Sequence, residues 1–162
     1  MKRFAVLLMV LALLLPALAL AEGPVMLVEL PEDAQLLEDQ PLGDGDFTQT
    51  YVLDGGVTVQ LLRFTAFDMT LSDLVEAERT DYAVTGTPGF EQIGGFPAEG
   101  ICLTGEENGS AVDVTIVMAH VGEQTLILQI VSPAGEQAQT VQGLLDSLGV
   151  LSESVDEEAE VG

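Results

Sequence analysis

The chain has 162 residues, with four Lys+Arg against 27 Asp+Glu and a net charge of −23. After residue 3 the only lysines or arginines are Arg63 and Arg79. This balance excludes nucleic acid and anionic membrane surfaces as partners, because both are polyanions held through clustered Lys and Arg. It leaves a cationic ligand, a metal cation or a protein partner, and it favours a soluble monomer.

Met1 to Ala21 reads as a secretory signal peptide. Lys2 and Arg3 supply the positive start, Phe4 to Leu20 is apolar apart from Pro16, and Ala19-Leu20-Ala21 places small residues where signal peptidase reads. Cleavage is expected between Ala21 and Glu22, which makes the protein secreted or extracytoplasmic. Removal of Lys2 and Arg3 leaves two arginines against 27 acids, a charge of −25 on 141 residues. No later apolar run reaches the length of a membrane span. One domain, residues 22–150, followed by an acidic disordered tail at 151–162, is the expected organisation.

In chain order, Val25–Leu30 reads as a strand stopped by Pro31-Glu32-Asp33. Glu38–Asp46 carries four acids, Pro41, Gly43 and Gly45, and reads as a surface loop. Thr48–Leu53, the turn Asp54-Gly55-Gly56 and Val57–Phe67 read as a hairpin with a long second strand. A helix follows, with Thr70 as N-cap, Asp73 in the first turn, and Leu71, Leu74, Val75 and Tyr82 on one stripe. Glu78 falls inside that stripe, so its carboxylate must reach water or pair with Arg63 or Arg79.

A link, Gly86–Gly95, leads to strands at Phe96–Thr104, Ala111–His120 and Thr125–Val131. Tight turns at Glu107-Asn108-Gly109-Ser110 and Val121-Gly122-Glu123 make these three an antiparallel meander. A closing helix is expected with Ser132 as N-cap, Pro133 at N1 and Gly149 at C′. The order is strands, helix, strands, helix. The fold class is α+β, a mainly antiparallel sheet with helices packed on it.

A resemblance follows from this order. The strand ending in Leu30-Pro31-Glu32-Asp33, the hairpin, the acidic helix at Leu71–Tyr82, the step Ile93-Gly94-Gly95-Phe96-Pro97-Ala98 into a strand, the meander and the Pro133–Leu148 helix resemble the α/β/α sandwich of the PsbP/Mog superfamily. That superfamily includes many small secreted bacterial proteins of unassigned role. The resemblance implies an exported, non-enzymatic binding or assembly-assisting module, with no catalytic residues and no cofactor to carry over.

The residues themselves identify no catalytic set. His120 is the single histidine, and no Gly-x-Ser-x-Gly elbow occurs. Cys102 is the single cysteine and lies in an apolar strand, so it reads as a small buried hydrophobe. One Cys and one His cannot build a usual zinc site. Calcium is the better metal question, since its ligands are oxygens. Asp44-Gly45-Asp46-Phe47-Thr48 begins like a calcium loop but has Gln49 where the turn glycine belongs and Gly55 where the bidentate Glu belongs. Glu38, Asp39, Asp44 and Asp46 are the candidate metal ligands of a weak divalent-cation binder. A carboxylate-based hydrolase is a third reading, motivated only by the abundance of acids.

Overall fold

The computed structural model describes residues 23–43 and 45–152. The expected signal peptide, Asp44, and the expected tail from residue 153 onward therefore lie outside the described residues. Strands β1 (Val25–Leu27), β2 (Gln35–Gly43), β3 (Asp46–Val52) and β4 (Thr58–Thr65) precede helix α1 (Leu71–Glu78). Strands β5 (Ala83–Gly86), β6 (Gln92–Ile93), β7 (Phe96–Glu107), β8 (Ser110–Val121) and β9 (Gln124–Pro133) follow, then α2 (Ala138–Asp146) and β10 (Gly149–Leu151). The class is α+β.

The main sheet runs β2-β3-β4-β9-β8-β7-β5, antiparallel throughout, with β6 paired to the start of β7. β1 and β10 form a separate two-stranded ribbon. The meander β7-β8-β9 is as its turn signals predict, and its strands run longer than expected at both ends of the turns.

Alternation along the central strands splits the apolar side chains into two clusters. Val117 and Ala119 of β8 and Leu126, Leu128 and Ile130 of β9 pack with Met26, with Val57, Val59 and Leu61 beside and within β4, and with Leu144 and Leu145 of α2. Val112, Val114, Ile116 and Met118 of β8 and Ile127 of β9 pack instead with Leu71 and Val75 of α1. Successive side chains of a strand point to opposite faces. Each helix therefore closes one apolar face, and the β1–β10 ribbon shares its face with α2, since Met26 and Val150 belong to that cluster.

Several local readings are corrected. Glu38–Asp46 is no loop. Its first six residues lie in β2, which is exposed along its whole length and pairs with β3 through two register shifts, and Asp46 opens β3. The acids and Pro41 suit an edge strand, where charge, proline and bulges discourage further pairing. The first strand ends at Leu27, and α1 ends at Glu78 rather than Tyr82. The expected link contains the end of β5 and all of β6. Ser132 and Pro133 do not open the closing helix. Both belong to β9, paired with Asp113 and Val112, and α2 starts five residues after Pro133 with Gln137 at its N-cap. Gly149 lies in β10, one residue after Leu148 and paired with Leu27.

The step at Gly94-Gly95 is a two-residue hairpin turn between Ile93 and Phe96. Both glycines have positive φ, 59° and 86°, which the mirror-image turn demands. A Cβ on Gly94 would also come within 3.0 Å of the Val150 backbone nitrogen.

Helix α1 is sealed at its start by a capping box. The Thr70 side chain accepts from the Asp73 amide, and the Asp73 carboxylate accepts from the Thr70 amide. The Thr70 hydroxyl, which donates to the Asp73 carboxylate at 2.7 Å, and the Thr70 amide together hold that carboxyl below its ordinary range.

Arg63 of β4 is fully buried, at 0% exposure. Its Nε donates to the Gly45 carbonyl at 2.8 Å, Nη2 donates to the same oxygen, and Nη1 donates to the Pro24 carbonyl at 3.1 Å. The guanidinium also stands over the Phe47 ring, 5.1 Å from its centroid. Burial lowers its pKa, and the Asp46 charge opposes that shift. A guanidinium nevertheless stays protonated in proteins. Arg63→Met should cost about 3 kcal/mol in denaturant unfolding, because it strands two carbonyls at the N-terminal segment and the β2–β3 turn. Arg63→Lys should also cost more than about 1 kcal/mol, since one ammonium cannot reproduce the planar fork.

Candidate functional site

The two faces of the sheet differ in how much of them a helix can cover. Seven strands at about 4.8 Å spacing span roughly 30 Å. Helix α1, with eight residues, is about 12 Å long and about 10 Å across. It shares one cluster with Leu103 of β7, its neighbours on β8, Ile127 of β9, and Leu62 and Phe64 of β4, and leaves open the part of that face around Thr50, Gln60 and Gln129. There the side chains turn polar: Thr50 lies opposite Gln60, Gln60 opposite Gln129, and Thr58 opposite Val131.

A cleft of about 170 Å³ opens over this patch. Thr50, Thr58, Gln60, Gln129 and Val131 form its floor, with Arg79 and Glu107 at its side. Gln60 donates weakly to the Thr48 hydroxyl, at 3.4 Å. Among the described residues, Thr50, Thr58 and Gln129 make no side-chain hydrogen bond, so their donors and acceptors remain free.

The charged wall is built by three elements. Arg79 is the C-cap of α1, and its amide donates to the Val75 carbonyl. Its Nη1 meets Glu107 Oε1 at 2.6 Å, and its guanidinium lies 4.7 Å from the Tyr82 ring centroid. Tyr82 Oη donates to the same Glu107 oxygen at 2.9 Å. The ring can lie there because residue 105 of β7 is glycine: a Cβ at Gly105 would sit 2.6 Å from the ring carbon. The Arg79 hydrogen bond holds the Glu107 carboxyl below its ordinary range, against desolvation, and the Tyr82 hydroxyl adds to that effect. Burial and the Glu107 carboxylate push the Tyr82 hydroxyl up, so the proton stays on Tyr82. The wall is thus an ion pair of zero net charge.

A larger groove of about 400 Å³ runs between Glu29–Glu32 and α2, past Gly143. Its charged lining residues are Glu29 and Glu32. The smaller cleft is the better site, because it gathers hydrogen-bonding side chains from three strands around one ion pair.

The residues singled out from sequence are dispersed. Glu38 and Asp39 are successive residues of β2, opposite Thr50 and Gln49, and so face opposite sides of the sheet. Asp39 accepts from the Gln49 amide at 3.3 Å. Asp46 Oδ1 accepts from both the amide and the hydroxyl of Thr65, each at 2.8 Å. Asp44 lies outside the described residues. Among the described residues, no group of three or more His, Cys, Asp or Glu is arranged to hold a metal ion.

Glu78 is exposed at the end of α1, and neither expected arginine pairing forms: Arg79 takes Glu107, and Arg63 takes carbonyls. Cys102 is half-buried, 3.9 Å from the Thr115 hydroxyl. His120 Nδ1 lies 3.5 Å from the Thr125 hydroxyl. Sequence reasoning missed the cleft. The signal was the pattern Thr48-x-Thr50 and Thr58-x-Gln60, polar residues at alternate positions of neighbouring strands.

No family model and no curated protein matches the chain. Solved structures do. A Pseudomonas aeruginosa protein of unknown function matches with TM-score 0.52 at 12% identity, over 75% of this chain and 92% of its own. A cyanobacterial PsbP from Synechocystis matches with TM-score 0.48 at 12% identity, over 80% of this chain and 93% of its own. LpqN of Mycobacterium tuberculosis, a protein involved in cell envelope biogenesis, matches with TM-score 0.42 at 13% identity, over 80% and 84%. The likeness to the Pseudomonas protein shows a shared fold.

The depressed Glu107 titration gives a signed expectation. A carboxylate held below its ordinary value of 4.5 stabilises the fold above that pH, and the contribution is lost as pH falls through the depressed value. Because Glu107 is 37% exposed, the pair contributes at most about 1 kcal/mol. Glu107→Gln should therefore unfold at lower urea than wild type at pH 7, and the two midpoints should converge as the pH is lowered from 4.5 through that range.

Proposed function

We propose that this chain is an exported, non-enzymatic binding or assembly-assisting protein. It folds as a three-layer α/β/α sandwich and acts outside the cytoplasm. The leader-like segment Met1–Ala21 supports export. The observation that carries the binding reading is the open half of the sheet face over β3, β4 and β9. Threonines and glutamines stand there half-buried, with free hydrogen-bonding groups, where the other half of the same face is Val, Ile and Met. Polar side chains held on rigid strands beside a cleft suit recognition, and they give up packing that apolar residues would supply. The likeness of the fold to proteins of unknown function and to a PsbP is compatible with an accessory role.

Two measurements test this. N-terminal sequencing of the exported product should begin at Glu22, and retention of Met1 in an internal product would overturn the export reading. The isotope-labelled mature protein should then be mixed with the native host's extracytoplasmic extract. NMR shifts concentrated at Thr50, Thr58, Gln60 and Gln129 are expected. Shifts confined to the α2 face, or none at all, would overturn the assignment of this face.

A further inference from the structure

Resting on the binding role proposed above, we infer that the cleft over β3, β4 and β9 takes an uncharged small molecule rich in adjacent hydrogen-bond donors and acceptors. The inference comes from what the walls offer. Gln60 and Gln129 are direct cross-strand partners, so their two amides stand side by side, each with a carbonyl acceptor and an NH2 donor. Thr50 and Thr58 add hydroxyls that both donate and accept. Such a floor matches a polyol or an amide, groups that also donate and accept.

The electrostatics argue against an ion in either direction. Arg79 is the one guanidinium at the cleft, and Glu107 already occupies it at 2.6 Å, with Tyr82 donating to the same carboxylate. An anion would have to share Arg79 with the Glu107 carboxylate already bonded to its Nη1, and would stand beside that charge in a chain whose net charge is −23. A cation would find Glu107 already matched by Arg79 and would be repelled by that guanidinium. A neutral guest leaves the pair intact and loses little solvation on entry. The volume fixes the size: 170 Å³ equals the liquid volume of about five or six waters. That admits a single ring or a short amide, not an extended chain.

The test titrates the isotope-labelled mature protein with four probes: myo-inositol, acetamide, acetate and methylammonium. The side-chain NH2 signals of Gln60 and Gln129 are the reporters. The expected result is saturable shifts with myo-inositol or acetamide, the stronger of the two identifying the polyol or the amide as the chemistry recognised. Acetate and methylammonium should bind at least tenfold more weakly. The Gln60→Leu/Gln129→Leu variant should remain folded, and its backbone signals at Thr50 and Thr58 should lose the response, while Gln139→Leu in the other groove keeps it. Equal or tighter binding of either ion would overturn the inference, as would absence of saturable shifts with both neutral probes. If the extract experiment still shifts this face, the binding role stands and only the ligand class falls. Failure of both removes the two together.

Discussion

A single buried cation organises the start of this domain. Among the described residues, Arg63 makes no ion pair with a carboxylate. Its charge is met by two backbone carbonyls, at Pro24 and Gly45, and by the face of Phe47. Burying a guanidinium is costly unless its donors are satisfied, and here three of its nitrogens find acceptors. The reward is connectivity. One side chain on β4 ties the segment before β1 to the turn between β2 and β3, elements 39 and 18 residues away in sequence. Gly23 leaves room for this, since a Cβ there would meet Nη1 at 3.1 Å.

The second arginine of the folded domain is also committed inward. Arg79 is only 13% exposed and is taken by Glu107 and Tyr82. Among the described residues, both arginines therefore hold structural contacts.

How much was legible in the sequence depended on whether a signal was local. The meander β7-β8-β9 follows from alternation and from turn residues that specify their own geometry, and it was read correctly. The N-cap Thr70 and the first-turn acid Asp73 lie within four consecutive residues and were also legible, though not the reciprocal box they close. Ser132-Pro133 misled because the pair is a strong helix opener in isolation. In the structure, pairing with β8 extends β9 through Pro133, at the strand end where a missing N–H is tolerated. Glu38–Asp46 misled in the opposite way. Its acids and glycines mark a loop by composition, yet an edge strand favours the same residues. Of the cleft, the alternating Thr and Gln positions were visible but unweighted. The approach of Arg79, Tyr82 and Glu107 was not visible, because residues 79 and 107 meet only through the pairing of β5 with β7 and the seat that Gly105 gives the ring.

The polar floor and the short helix are two consequences of one length. Had α1 run to Tyr82, as its apolar stripe suggests, Tyr82 would continue the helix and Arg79 would lie within it. Because it stops at Glu78, Arg79 becomes the C-cap and turns to Glu107, and Tyr82 folds back over Gly105. The sheet beyond that point has no apolar cover, so Leu or Val at 50, 58, 60 and 129 would expose an oily patch prone to association. Solubility alone requires polar residues there. It does not require two adjacent carboxamides and two hydroxyls with free hydrogen-bonding groups beside a neutral ion pair, since Glu or Asp, abundant elsewhere in the chain, would serve a solvated face as well. The absence of charge from the floor of a cleft in so acidic a protein is the feature that solubility leaves unexplained and recognition of a neutral guest accounts for.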